Sequence, residues 1–227
     1  MALWLPLILA VLGAVVSMRF SVWRTQKMLD ARSHPLRDPA LERLTARMAA
    51  ALDIPEIRVN IFDVEPVNGL AAPDGRIFLT TGFLKKYRQG LVTDEEMASV
   101  IAHELGHVSM GHARRRMIDV TGQNAVFFLL TAFLARFVPI IGVWIANMVS
   151  TAVMARLSRR DEFEADAYAS ALLIKSGIGT APQKSLFRKL GALTQSRTEG
   201  IPAWLLSHPA AEERISAIEA NEARWLG

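Results

Sequence analysis

The 227-residue chain contains no cysteine. Disulfide scaffolds, thiolate zinc fingers, iron–sulfur clusters and cysteine nucleophiles are therefore excluded, and any metal must be held by histidine and carboxylate ligands. The excess of basic over acidic residues is also small, because 26 Lys and Arg residues face 22 Asp and Glu residues and the formal net charge is only +4. The basic residues crowd the flanks of apolar segments, a pattern typical of membrane borders. We therefore expect membrane lipid as a partner and no nucleic acid.

Long charge-free stretches are few, and the first covers residues 2–18. At about 1.5 Å per residue it approaches the roughly 30 Å thickness of a hydrocarbon core. No basic residue precedes it and several follow it, which favours a retained signal anchor over a cleaved signal peptide and keeps the following chain cytoplasmic. The sequence thus predicts a single transmembrane anchor over 1–19 and one further domain over 20–227.

A second apolar stretch covers 125–155 and is interrupted by Arg136 and Pro139. It is too short for two full crossings, and one crossing would separate residues that must meet at a common site. Two alternatives remain open. One is a hairpin that dips into the near leaflet, and the other is a pair of helices buried within the domain.

The remaining pattern predicts an α+β fold that is mostly helical with a small sheet. Asp38-Pro39 precedes a helical period, residues 57–61 alternate like a strand, and 76–81 form a β-prone run after a turn. Thr93 and Glu96 form a capping box that opens another helix. Further helices are predicted over residues 162–175, 182–193 and 209–221.

The capped helix contains His103-Glu104-Leu105-Gly106-His107, the HExxH pattern of zinc peptidases. Residues four apart lie on one helix face, so His103 and His107 can ligate one metal ion. Glu104 lies beside them without being a ligand. It can take a proton from the attacking water and pass it to the leaving amine.

A catalytic zinc ion needs a third protein ligand. The metzincin pattern fails, since Met110 and Ala113 replace its glycine and histidine and His112 is expected to point away from the metal face. The acidic run 161–166 offers Glu162 as the ligand and Asp166, one turn later, as the acceptor of an imidazole proton. Glu164 is predicted to face elsewhere and to be solvated.

Four segments occur in one order: VNGLAAPDGRIFLTTGFL, IAHELGHVSMGH, SRRDEFEADAYA and SHPAAEERISAI. In order and spacing they resemble the HtpX-like and CAAX-prenyl-protease-related membrane zinc endopeptidases, a gluzincin family. The resemblance implies a zincin-like metallopeptidase domain with a small sheet whose edge strand precedes the active-site helix.

The resemblance also implies roles for residues outside the two metal motifs. The edge strand would hold an extended peptide by β-augmentation, and its residues are Arg76, Ile77, Phe78, Leu79 and Thr80. His208 would stabilise the oxyanion, or alternatively cap a helix with Pro209. Arg214 would support a carboxylate of the site, and Asn68 would lie near the substrate.

These features predict a membrane-anchored zinc metalloendopeptidase with one Zn²⁺ per chain and polypeptide substrates. By resemblance, it would act in protein quality control at the cytoplasmic face of a bacterial-type inner membrane. The alternative is a zinc-stabilised chaperone or assembly factor with little proteolysis. The intact Glu104 argues against that alternative, because a pure binder needs no general base.

Overall fold

The computed structural model describes residues 4–72, 74–112, 115, 139–194 and 211–227. Its elements in chain order are α1 (Trp4–Ala31), β1 (Ser33–Pro35), α2 (Pro39–Leu52), β2 (Val59–Phe62), β3 (Gly69–Ala71), β4 (Ile77–Thr80), α3 (Thr81–Arg88), α4 (Asp94–Ser109), α5 (Pro139–Lys175), α6 (Ala181–Thr194) and α7 (Ala211–Leu226). The predicted mostly helical α+β class is confirmed. His208 and residues 125–138 of the predicted 125–155 hairpin lie outside the described residues, whereas residues 139–155 belong to α5.

The chain forms two compact units. One comprises Met1–Arg32 and Ala113–Arg156, and the other comprises Ser33–His112 and Leu157–Gly227. The predicted boundary after residue 19 stays a prediction. Every residue of the catalytic motifs that the structure describes belongs to the second unit, whose core is formed by the sheet with α2, α4 and α6.

Local capping places the helices of this core. The Asp38 carboxylate accepts hydrogen bonds from the backbone N–H groups of Ala40 and Leu41 at 3.0 and 3.1 Å, which starts α2 where the sequence predicts. The predicted capping box of Thr93 and Glu96 starts α4. The second oxygen of Glu96 accepts a hydrogen bond from Ser185, so the cap also ties α4 to α6.

The predicted edge strand is wrong. The sheet order is β1-β2-β4-β3, so β4 is a central strand that pairs in parallel with β2 and antiparallel with β3. All four β4 side chains, from Ile77 to Thr80, are buried. A short strand that is apolar on both faces is covered on both faces, which is typical of the middle of a sheet. The edge on this side is β3.

Gly82, which directly follows the predicted β-prone run 76–81, lies in the first turn of α3. The Thr80 hydroxyl accepts a hydrogen bond from the Phe83 N–H and caps this helix, so the strand passes directly into it. A Cβ atom at Gly82 would lie 1.7 Å from the Glu65 carbonyl oxygen. The glycine is therefore needed for close backbone approach.

Helix α5 has 37 residues and is much longer than the predicted 162–175. The acidic run 161–166 consequently lies in the middle of a helix. Attraction to the positive end of a helix dipole therefore does not explain these carboxylates, since that effect is confined to the first turn.

The predicted membrane span is not confirmed. Among the residues that the structure describes, no helix combines the length and the apolar character needed to cross a membrane.

Candidate metal centre

Helices α4 and α5 bring three side chains with metal-binding atoms together. The Nε2 atoms of His103 and His107 are 3.1 Å apart, and the two oxygens of Glu162 lie 3.3 Å from His103 Nε2 and 3.4 Å from His107 Nε2. His103 and Glu162 are buried, whereas His107 is half-buried. The structure thus groups the three residues that the sequence predicts as zinc ligands.

This donor set fits a zinc ion. Ligands at about 2.0 to 2.1 Å around a tetrahedral zinc lie about 3.3 to 3.4 Å from one another. The observed separations of 3.1 to 3.4 Å are close to that spacing. Two imidazoles and one carboxylate also leave a fourth position for water or substrate, as catalytic rather than structural zinc sites do.

Close approach of the two helices makes this grouping geometrically feasible. Gly106, inside the HExxH segment, faces Ala165, and a Cβ atom at Gly106 would lie 2.9 Å from the Ala165 carbonyl oxygen. A larger residue would push α4 and α5 apart. Glu162, one turn before Ala165, would then lose its distance to the two imidazoles.

Asp166 fixes the orientation of His103. Its Oδ1 atom lies 2.9 Å from His103 Nδ1, which leaves Nε2 for the metal. Arg214 donates two hydrogen bonds of 2.6 Å to the same carboxylate and stacks over the Phe187 ring at 4.0 Å. The predicted support of a site carboxylate by Arg214 is therefore present, although Arg214 is almost completely buried, at 1% exposure.

The charges in this cluster shift two pKa values. Burial raises the pKa of Asp166, but the Arg214 guanidinium and the His103 imidazole together hold the pKa below its usual range. Burial lowers the pKa of His103, whereas its hydrogen bonds to Asp166 and Glu162 raise it to about 10. A metal ion that binds His103 must therefore displace a proton, so metal affinity should rise with pH.

Glu104 and His103 line the same cleft. Residues of β3 and α6 form its other walls, and its apolar lining side chains include Phe83, Val100, Leu186 and Leu190. A Cβ atom at Gly69, the first residue of β3, would lie 2.8 Å from the Glu104 Oε1 atom. The edge strand therefore runs against the predicted general base.

The other predicted substrate residues are divided between the cleft and the core. Asn68 lines the cleft, and its backbone N–H donates to the Thr80 hydroxyl. Ile77, Phe78, Leu79 and Thr80 are buried in the central strand, where β2 and β3 occupy both hydrogen-bonding edges, and Arg76 pairs with Asp74. Direct peptide pairing along this segment is thus ruled out by the pairing that exists.

Sequence reasoning missed the role of His112. The prediction that it avoids the metal face holds for direct ligation, but its Nδ1 atom lies 2.8 Å from His107 Nδ1. Glu164 faces away from the three metal-binding groups, as predicted, but it is only partly solvated, since its side chain is 28% exposed and its carboxylate contacts His112 and Arg160. The contact between Glu164 and His112 arises because α5 packs a second acidic face, which carries Asp161 and Glu164, near the end of α4.

Comparison with known proteins finds similarity to one family of peptidases. Residues 35–222 match the sequence profile of Peptidase family M48. Metalloprotease LoiP of Escherichia coli is 30% identical over 162 residues, and metalloprotease YcaL of the same organism is 27% identical over 162 residues. Each of these alignments covers 71% of this chain, which spans 61% of the length of either relative.

A longer alignment is found with a protease HtpX homolog from Variovorax paradoxus. It is 27% identical over 252 aligned positions, which cover 92% of this chain and 81% of that relative. The similarity therefore extends beyond the segment that contains the two metal motifs.

Proposed function

Because the chain belongs to peptidase family M48, we propose that it is a zinc-dependent metalloendopeptidase. The observation that carries this proposal is the convergence of His103, His107 and Glu162 with Glu104 beside them in a cleft. The ligands fit one zinc ion per chain, and the names of the relatives are those of metalloproteases.

Each residue of the site has its own role in hydrolysis. When bound, zinc would supply Lewis acidity that polarises the scissile carbonyl and makes water a better nucleophile. Glu104 takes a proton from the attacking water and delivers it to the leaving amine. Asp166 and Arg214 keep the His103 ring in its productive orientation. His208, which lies outside the described residues, is the proposed donor to the oxyanion.

We propose β3, rather than β4, as the strand on which an extended polypeptide adds. It is at the edge of the sheet, and its first residue, Gly69, lies against Glu104. A peptide that pairs with an edge strand presents its backbone at a fixed register, which brings one peptide bond to the metal. Asn68 directly precedes this strand and completes the wall of the cleft.

The location at a membrane is part of the same proposal. Large apolar side chains on α1 are exposed to solvent, among them Leu12 and Phe20 at 59% each and Trp23 at 50%. Contiguous exposed apolar surface is typical of contact with lipid or protein. A role in quality control at the cytoplasmic face of a bacterial-type inner membrane is proposed from the resemblance of the four segments alone.

Metal removal tests the proposal on the detergent-purified full chain. We expect about one zinc per chain, casein cleavage that stops on exhaustive chelation, and recovery on adding back Zn²⁺ but not Mg²⁺. Zinc binding without cleavage of casein or varied peptides would instead support the chaperone alternative. A chain that cleaves casein equally well before and after removal of its metal would contradict the zinc mechanism.

A substitution at Gly69 tests the contact between β3 and the general base. In Gly69→Ala the new methyl group must displace the flexible end of Glu104, so we expect kcat to fall by about 10²-fold, as for misplacement of a catalytic group by about 1 Å. Zinc content and the unfolding midpoint should stay near those of the wild type.

Gly191→Ala is the matched control for this substitution. Gly191 lies in α6, and no described atom comes within 4 Å of the added methyl group. It should leave kcat unchanged and raise the free energy of unfolding by about 0.5 to 1 kcal/mol. Equal kcat values for Gly69→Ala and the wild type would show that β3 does not position Glu104.

A further inference from the structure

His112 connects a zinc-binding imidazole to a second acidic group. It is buried, at 1% exposure, and lies three residues after the end of α4. Its Nδ1 atom lies 2.8 Å from His107 Nδ1, and its Nε2 atom lies 3.2 Å from a Glu164 oxygen. Arg160, one turn before Glu164 on α5, donates to the other oxygen of that carboxylate at 2.8 Å.

When His107 binds a metal through Nε2, the positions of the protons in the hydrogen bonds from His107 through His112 to Glu164 are determined. A neutral imidazole carries one proton, so His107 must then hold its proton on Nδ1 and donate it. His112 Nδ1 must accept that hydrogen bond, which places the His112 proton on Nε2. Glu164 is the acceptor that this second N–H requires.

We propose that His112 and Glu164 are positioning residues for the zinc ligand His107, and that Arg160 holds Glu164 in place. The proposal rests on the proposed zinc site. It gives the two histidine ligands equivalent support: His103 donates to Asp166, which Arg214 holds, and His107 donates through His112 to Glu164, which Arg160 holds. Such outer partners fix the ring orientation and raise the basicity of a ligand.

The same atoms suggest one competing arrangement. His112, Asp161 and Glu164 could themselves hold a metal ion. The His112 Nε2 atom would then have to be deprotonated, which is incompatible with a proton on His112 Nε2 that Glu164 accepts. The Asp161 oxygen is also farther away, at 3.8 Å from Nε2 against 3.2 Å for Glu164. A second metal is therefore an outcome that the test must detect.

The test measures zinc affinity by chelator competition on the full chain. His112→Phe keeps a ring but removes the acceptor, so the His107 N–H is left buried without its partner, and we expect affinity to fall about 10- to 100-fold. His112→Asn restores an acceptor oxygen near the Nδ1 position and should recover most of the loss. Glu164→Leu should also weaken binding, whereas Glu164→Gln, which keeps an acceptor oxygen, should weaken it less.

Ser109→Ala is the matched control, because Ser109 also joins α4 to α5, through the Tyr168 hydroxyl at 3.0 Å, without touching a histidine. Its zinc affinity should stay within about twofold of the wild type. Should His112→Phe fail to fold, the pair Glu164→Leu and Glu164→Gln decides the question at a partly exposed position.

Three results would overturn the proposal. One is an unchanged zinc affinity in both His112→Phe and Glu164→Leu, another is no recovery in His112→Asn, and the third is a second zinc in the wild type that Glu164→Leu removes. A wild type that binds no zinc would contradict the proposed function itself. The two failures are therefore distinguished by the metal content of the wild type.

Discussion

Replacing Glu104 by glutamine is expected to lower kcat for peptide hydrolysis by about 10³-fold, the middle of the range for a lost general acid–base catalyst. The amide keeps the size of the side chain and its place in the cleft, but it cannot take a proton from water. Glu104 is not one of the three metal-binding groups, so zinc content should stay at about one per chain. Two quantities are measured for the wild type and the variant: the initial rate of cleavage of a fluorogenic peptide, and the zinc content per chain.

Glu95→Gln is the matched control for this substitution. Glu95 lies on the same helix, and its side chain is exposed. The change removes the same charge from α4 without altering the site, and the rate should remain that of the wild type. Retention of full activity in Glu104→Gln would rule out Glu104 as the general base, and loss of zinc would show that its role is structural.

Replacing Arg214 by methionine is expected to destabilise the fold by about 3 to 5 kcal/mol, the range for breaking a buried ion pair from one side. Asp166 would remain buried without the charge and the two hydrogen bonds of Arg214, and only its contact with His103 would remain. The double variant Asp166→Asn with Arg214→Met should recover part of the loss, because the stranded charge is then removed. Urea unfolding followed by circular dichroism measures each difference.

The pH dependence of this effect has a definite sign. In the wild type, the lowered pKa of Asp166 contributes stability above the usual pKa near 3.8, and that stability is lost as the pH falls through the lower folded value. In Arg214→Met, burial still raises the pKa of Asp166, and only the contact with His103 remains to lower it, so the pKa should rise relative to the wild type. The two proteins should therefore differ most near neutral pH and converge in acid.

Arg224→Met, at an exposed position on the same helix, should change stability by less than about 0.5 kcal/mol. Arg214→Lys keeps the charge but cannot donate two parallel hydrogen bonds, so it should recover only part of the stability. If Arg214→Met unfolded at the same urea concentration as the wild type, the ion pair would not be a stabilising element of the site.

The parts of the structure that the sequence predicts correctly depend on local chemistry. Asp38 and Thr93 cap their helices through bonds to residues two or three positions away, and such patterns are visible in a short window. His103 and His107 are one turn apart on one helix. Glu162 and Asp166 are likewise one turn apart, so each half of the metal centre is encoded within five residues.

The errors concern contacts between distant segments. Whether residues 77–80 form an edge or a central strand depends on their pairing with β2 on one side and β3 on the other, and β3 is only three residues long and carries little periodic signal. The contact between His112 and Glu164 joins residues 52 positions apart, and it depends on how the end of α4 packs against α5. A stronger signal was available in the four residues of β4, which are apolar on both faces rather than alternating.

The order of the site residues along the chain has a consequence for synthesis. Both imidazoles and the base emerge first, Glu162 and Asp166 follow, and Arg214 in α7 comes last among them. Because domains begin to fold while the ribosome is still elongating the chain, a nascent product that lacks α7 holds Asp166 without the two hydrogen bonds of Arg214. We therefore expect the metal site to become complete only after α7 has been translated.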